Sequence, residues 1–358
     1  MRILINTPDT ARLAGVANFY RVLRPVFSDD IVYFTIHVSF PNILKPFALA
    51  YDLLCFCIQM IFGKIDAVIL NPSLGKGAVV RDGLYAWVAK NIFKKSFYVH
   101  WHGWQKVYEK VIDTGRDRFF IRAFFQSDGM FVLANSFKET LVRWGYDPDK
   151  IHLTTTVIED SVTETNRIYR EKESWTVTFL ARLVKEKGIL TAIDTQEILE
   201  KHKNLPARLL VAGNGPDFKS SQEYALSKDL KNIEFLGYVQ GNAKADAFLN
   251  GDIYIFPSSH GEGMPTSLLE AMGYGLPVIT SRVGGIPDFF ENGKMGFMID
   301  SADPKDYAEA IETLVSDPEL AERMGRYNRQ YASEHFTASK VAANLLHYIS
   351  DSDRRKPV

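Results

Sequence analysis

The chain has 358 residues, room for two domains at roughly 150 residues each, with cores that need no disulfide staples. Hydrophobic side chains make up 46% and charged ones 24%, which excludes a disordered or fibrous chain. The 42 basic and 43 acidic residues leave a net charge of −1, a balance that calls for no nucleic-acid partner. The charge is nevertheless uneven: residues 1–170 hold 21 Lys and Arg against 16 Asp and Glu, the remainder 21 against 27. A basic first part suits an anionic surface. Cys55 and Cys57 are too few for a zinc site and too close to bridge, so they read as buried thiols in a reducing compartment.

Met1 opens directly on a strand-like run, Ile3–Asn6, without the charged and apolar segments of a secretory leader. The expected location is therefore cytoplasmic, with peripheral contact at the inner membrane face as an extension of it. Further strands are expected at Ile31–Ile36, Ala67–Leu70, Ser96–His100 and Met130–Ala134, alternating with helical patterns. The most apolar stretch, Phe47 to Phe62, contains Asp52 and falls short of the about 20 residues that cross a bilayer. Its stripe of Phe47, Ala50 or Tyr51, Leu54, Ile58 and Ile61 predicts a helix with that face in the core, membrane-surface contact being the alternative. Arg116, Arg118 and Arg122, interleaved with Phe119, Phe120, Phe124 and Phe125, predict a solvated face over a core face, again with membrane contact as the alternative.

The polar stretch Glu159 to Ser174 breaks this rhythm and reads as an interdomain linker. Strands then resume at Thr176–Leu180, Arg208–Ala212, Ile233–Leu236, Ile253–Phe256, Pro277–Thr280 and Gly296–Ile299. The pattern gives an α/β fold of two doubly wound parallel-sheet domains, residues 1–165 and 166–336. A closing helix, 337–358, fits either domain, and packing back on the first is the arrangement carried forward.

In open parallel sheets ligands sit beyond the carboxyl ends of strands. One candidate there is Pro257 to Met272, read as strand end, loop and helix start. Pro265 suits a first helical turn, and the N–H groups of Met264, Thr266 and Ser267 are placed to meet a phosphate. Glu262 and Glu270 stand about two turns apart; the bland alternative makes Glu262 a capping acid and Glu270 a solvated helix residue. A second candidate is Arg182 with Lys187 and Gly188 after Thr176–Leu180, suited to a diphosphate or to plain surface charge. Gly213 and Gly215 let backbone approach a ligand or simply turn the chain, but Phe218 replaces the third glycine of a dinucleotide fingerprint. In the first domain, Gly15 opens a helix beside the first strand. His100 reads as a core histidine, His102 beside Gly103 as the ligand-facing one, and Trp101 and Trp104 as faces for a sugar or base.

In this order, these segments resemble the retaining glycosyltransferases of family 4, with the GT-B architecture of two Rossmann-like domains around a cleft. The resemblance is densest from Ser259 to Asp288, where HGEGMPTSLLEAMGYGLPVITSRVGGIPD carries the family's E-x7-E element as Glu262 and Glu270. ARLVKEKG, VAGNGP, FLGYV, AGVANF and HWHG follow the same order and spacing. The resemblance implies transfer of a sugar from a nucleoside-diphosphate donor to a glycan or lipid-linked acceptor with retained configuration, in bacterial surface-polysaccharide synthesis. It further implies that Arg182 and Lys187 neutralise the diphosphate without a metal or other cofactor. By the same resemblance Glu270 binds the ribose, Glu262 with Gly263 and Met264 holds the sugar, and His102 contacts it near the reacting carbon. Gly15, Gly213, Gly215, Pro265 and Thr266 complete the donor side. Two departures stand out: Ala181 replaces the usual glycine before R-x4-K, and Thr154–Glu159 replaces the usual P-N-G-V-D. The rival readings are another GT-B sugar-nucleotide enzyme, such as an epimerase, and a binding protein that has lost transfer.

Overall fold

The computed structural model describes the chain except residues 10–14, 37–44, 166, 168, 170–172, 204, 260, 262 and 355–358, and describes only the backbone of 45, 46, 118–120, 353 and 354. Two units are present: Met1–Val157 with Gly261–Met264 and Ala338–Val358, and Ile158–His260 with Pro265–Thr337.

The strands of the first unit are β1 (Ile3–Pro8), β2 (Ile31–Ile36), β3 (Ala67–Leu70), β4 (Ser73–Leu74), β5 (Ser96–Trp101), β6 (Gly103–Trp104), β7 (Gly129–Val132) and β8 (Ile151–Leu153). Its helices are α1 (Gly15–Leu23), α2 (Lys45–Phe62), α3 (Lys76–Trp87), α4 (Lys106–Asp113), α5 (Arg118–Phe124) and α6 (Asn135–Arg143). The second unit has the helices α7 (Asp160–Glu164), α8 (Ile189–Glu197), α9 (Phe218–Ser227), α10 (Asn242–Leu249), α11 (Thr266–Gly273), α12 (Pro304–Ser316) and α13 (Pro318–His335). Its strands are β9 (Trp175–Leu180), β10 (Ala207–Ala212), β11 (Ile233–Gly237), β12 (Ile253–Phe256), β13 (Val278–Ser281) and β14 (Gly296–Ile299); α14 (Ala338–Arg354) closes the chain.

Both six-stranded sheets are parallel throughout. The first runs β2-β1-β3-β5-β7-β8 and the second β11-β10-β9-β12-β13-β14. The strand cores are apolar on both faces, as sheets covered by crossover helices require. In strand order these are the flavodoxin-like and the dinucleotide-fold arrangements, whose reversals fall between β1 and β3 and between β9 and β12. The sequence pattern misses β8, a three-residue strand behind a Pro148 turn, and the two-residue pair β4–β6; none is long enough to show a period.

Three expectations are corrected. The change of unit falls at Val157–Ile158, ahead of the polar segment read as a linker. That segment is held in the second unit: Val162 of α7 is buried, Arg167 donates to the carbonyls of Phe248 and Gly251 and pairs with Asp252, and the Tyr169 hydroxyl donates to the Gly275 carbonyl at 2.9 Å. Secondly, α2 buries Ala48, Asp52, Phe56 and Met60, and the stripe expected in the core points outward. Thirdly, Cys55 and Cys57 on the same helix are free and only half-buried.

Helix α14 packs on the first sheet: Val341, Leu345 and Ile349 share a core with Ile3, Ile5, Ala67 and Ile69, and the Tyr98 hydroxyl donates to the Ile349 carbonyl at 3.1 Å. In the second unit, Val177, Phe179, Leu209, Val211, Ile253 and Ile255 meet Ile189, Ile193, Tyr307 and Ile311. On α13, buried Asn328 donates to the carbonyls of Leu276 and Met295, each at 2.7 Å. Helix α5 buries Ile121 and Phe124 and exposes Arg122; the side chains of Arg118, Phe119 and Phe120 lie outside the described residues.

Candidate active site

At the strand-order reversal of the second sheet, the loops after β9 and β12 are bonded to each other. The Glu186 carbonyl accepts the N–H of Ser259 at 2.8 Å and the hydroxyl of Ser258 at 3.1 Å. Arg182 is exposed, and Lys187 is half-buried with its Nζ 5.7 Å from the centre of the Phe256 ring. Gly188 turns the chain at φ +85° into α8, and a Cβ there would collide with the Pro257 carbonyl. Gly213, at φ +134°, and Gly215 likewise leave no room for a side chain, because the carbonyls of Ala181 and Leu183 fill those positions. Their missing side chains serve loop-to-loop packing. Ala181 is accommodated, its N–H donating to the Ala212 carbonyl at 3.2 Å.

Helix α11 begins at Thr266, with Pro265 as the residue before it. The Pro265 carbonyl accepts from Leu268 and Leu269, so the N–H groups of Thr266 and Ser267 precede the intrahelical ladder and are the ones an anion meets. The Tyr254 hydroxyl, 3.0 Å from the Leu180 carbonyl and 2.8 Å from Ser267 Oγ, ties this helix start to the ends of β9 and β12. Glu270 is buried rather than solvated and accepts from Lys244 Nζ at 2.6 Å. Burial pushes its carboxyl above the usual range and Glu159 adds to this, while Lys244 opposes it. Glu262 and His260 lie outside the described residues. Gly263 and Met264 group with the first unit: the Met264 carbonyl accepts from Thr156 Oγ1 at 3.2 Å, and a Cβ on Gly263 would lie 3.0 Å from Leu133. The segment Thr154–Glu159, the departure noted above, thus supplies the hydroxyl that holds Met264.

At the reversal of the first sheet a chain of buried amides connects three strand ends. Asn71, after β3, donates its N–H to Asn6 Oδ1 at 2.9 Å and its Nδ2 to the Asn6 carbonyl at 2.7 Å. Asn6 Nδ2 donates to Asp82 Oδ1 at 2.8 Å, and Asp82, wholly buried, pairs with Arg81 at 2.7 Å. Asn71 Oδ1 accepts from the Tyr20 hydroxyl at 2.7 Å and faces His102 Nε2 at 3.0 Å. With Nδ2 of Asn71 fixed as donor, its Oδ1 is the acceptor; the network therefore assigns the proton to His102 Nε2 and leaves Nδ1 as the acceptor. Burial lowers His102 to about 3. His100 is stacked on it at 3.9 Å between ring centroids, is fully buried with neither ring nitrogen hydrogen-bonded, and is pushed well below its ordinary value, so both rings are neutral. Gly15 stands at the exposed start of α1, with nothing among the described residues within 4 Å of where a Cβ would project.

Trp101 and Trp104 do not offer faces to a ligand: both are buried, Trp101 edge-on to Phe124 at 5.1 Å and Trp104 stacked on Phe137 at 4.6 Å. The sequence reading misses Asn6, Asn71, Tyr20, Asp82 and Lys244. An Asn directly behind an apolar strand run, at Ile3-Leu-Ile-Asn6 and Val68-Ile-Leu-Asn71, is the signal that points to the first two; Lys244 has none.

Two doubly wound parallel domains with polar groups at both strand-order reversals define the GT-B fold. The same fold is seen in Anabaena HepE in complex with UDP-glucose, at a TM-score of 0.73 and 13% identity over 98% of this chain and 100% of that one. Residues 162–331 match the family model of glycosyl transferases group 1. Spore coat protein SA of Bacillus subtilis is 34% identical over 184 residues, 48% of this chain and 47% of that protein. The capsular polysaccharide biosynthesis glycosyltransferase CapM of Staphylococcus aureus is 30% identical over 175 residues, 48% and 45% of the two chains. The chain spans about half the length of these curated relatives.

Proposed function

We propose that this protein is a retaining glycosyltransferase that moves a sugar from a nucleoside diphosphate to a hydroxyl of a glycan or lipid-linked acceptor in surface-polysaccharide synthesis. The observation that carries the reading is the second unit's strand-order reversal, where Arg182 and Lys187 stand at the end of β9 and the first N–H groups of α11 follow β12. Two cations and a helix start suit a diphosphate. Buried Glu270 is the ribose partner, exchanging Lys244 for the sugar hydroxyls or sharing it with them. Gly15, Gly213, Gly215, Gly263, Met264, Pro265 and Thr266 shape the donor side, Glu262 holds the transferred sugar, and the first unit contributes His102 as a neutral imidazole.

In the reaction the bond between the anomeric carbon and the diphosphate oxygen breaks, and the pair of electrons leaves with the diphosphate. The acceptor oxygen bonds to the same face of the sugar, and its proton passes to the departing oxygen. Arg182 and Lys187 take the role of a divalent cation by offsetting the charge that develops on the leaving group. The relatives, a capsular polysaccharide biosynthesis glycosyltransferase among them, support the acceptor class.

A panel of UDP-, GDP-, ADP- and dTDP-sugars, read by thermal shift and by nucleoside-diphosphate release with and without EDTA, tests this. One donor stabilises the protein, its release is EDTA-insensitive, and Lys187→Ala and Glu262→Ala each lose about a hundredfold in kcat without unfolding. Near-parental turnover in both variants overturns the site assignment, and loss of release in EDTA overturns the metal-independent step.

A further inference from the structure

Helix α2 turns an uncharged apolar face to solvent. Phe47, Tyr51, Leu54, Ile58, Ile61 and Phe62 are 73, 58, 59, 46, 61 and 78% exposed, and their spacing of four, three, four, three and one residues sets them along one side of a 3.6-residue helix. Ala48, Phe56 and Met60 anchor the other side in the domain. The single charge between Lys45 and Lys64 is Asp52, which is 3% exposed and so absent from the outer face. A helix packed on a water-soluble domain ordinarily keeps its charged residues outside; here the order is reversed. A contiguous apolar strip of this kind marks a docking surface.

Charge identifies what docks. The first unit holds 23 Lys and Arg against 16 Asp and Glu, the second 19 against 27, so the excess of about seven positive charges lies in the unit that carries α2. Lys45 is the first residue of the helix and exposed Lys64 lies two residues beyond its last one, so in sequence a cation stands at each end of the apolar strip. This is the distribution that favours an anionic lipid surface and that makes a second copy of the same basic unit repel. Geometry settles the mode of contact. The helix is ~27 Å long, one side of it is fixed in the domain core, and among the described residues no helix is long and apolar enough to cross a membrane. It lies in the surface plane.

We propose that α2 is a membrane-docking element, inserting Phe47, Tyr51, Leu54, Ile58, Ile61 and Phe62 at the boundary between headgroups and acyl chains of an anionic bilayer. This surface is separate from the donor chemistry, and its test uses no sugar nucleotide. The full chain is floated with vesicles of phosphatidylcholine alone or mixed with phosphatidylglycerol. The parent protein floats with the anionic vesicles and less with the neutral ones, and added salt weakens the partition. Leu54→Glu combined with Ile58→Glu lowers partition about a hundredfold; Phe47→Ser with Phe62→Ser, at the two ends of the strip, lowers it too, with the thermal transition unchanged in both. Failure of the parent to float with anionic vesicles overturns the proposal, as does undiminished partition in both folded double variants. A parent that sediments as a dimer while Leu54→Glu/Ile58→Glu sediments as a monomer overturns it in favour of a second copy on this face.

Discussion

The two units carry their strand-order reversals on the same kind of sheet and furnish them in opposite ways. Between β9 and β12 the surroundings are backbone: Gly188, Gly213 and Gly215 let the loops close on one another, Glu186 and Ser259 bond main chain to main chain, and the charged groups stand at the rim. Between β1 and β3 the space is filled by side chains, with Asn6, Asn71, Tyr20 and Asp82 bonded in one buried chain that ends on His102. A backbone-built crevice keeps N–H groups for an anion whatever the side chains around it, whereas an amide network holds one imidazole in one tautomer. The first arrangement suits a class of ligand; the second positions a single atom.

The sharpest way to break the first arrangement is to give it a side chain. Gly213→Ala places a Cβ against the Ala181 carbonyl at φ +134°, and the second unit is expected to lose about 3 kcal/mol. Gly15→Ala, which meets open space, changes stability by less than about 0.5 kcal/mol. Urea unfolding followed by hydrogen exchange of each unit separates the two. An equal cost at both positions would mean that loop packing is not what the glycines provide.

In the first unit the corresponding lesion is polar. Asp82→Ala leaves Asn6 Nδ2 and the Arg81 guanidinium without their buried acceptor and is expected to cost about 2 kcal/mol. Four of the five tryptophans, Trp87, Trp101, Trp104 and Trp144, belong to this unit, so intrinsic fluorescence reports its unfolding. Asp82→Asn keeps an acceptor oxygen and recovers part of the loss; if it is as damaging as alanine, the charge on Arg81 rather than the hydrogen bond to Asn6 dominates.

The contrast explains what was legible in the sequence. Strands such as Ile31–Ile36 and Ile253–Phe256 announce themselves because a sheet covered on both faces needs unbroken apolar runs, and the run of loop, proline and helix start at Pro257–Thr266 is local in the chain. Arg182, Lys187 and Gly188 are legible for the same reason. The network on His102 is not, since its partners lie 31 and 76 residues apart in sequence and single Asn or Asp residues carry no period. Helix α2 misleads in a different way: two apolar stripes share its circumference, and the buried one, Ala48–Phe56–Met60, is the less bulky. The sequence pattern favours burying the stripe without a charge, and the fold buries the one that contains Asp52.

A further test concerns the protonation state of the two stacked histidines. His102 is held neutral down to about pH 3 by burial, and His100 against it is depressed as well, whereas in the unfolded chain both protonate below about 6.5. Between these limits the unfolded state binds more protons than the native one, so stability is fully present above about pH 6.5 and declines as the pH falls, by about 1.4 kcal/mol per unit for each histidine. Fluorescence-detected urea midpoints of the first unit at pH 7 and pH 5 measure that slope. His102→Gln keeps a donor toward Asn71 Oδ1 and removes one titrating group, so its slope below pH 6 falls to about half that of the parent. An unchanged slope in this variant would place the proton uptake on other groups, and would release His102 from the neutral tautomer on which its contribution as an acceptor at Nδ1 depends.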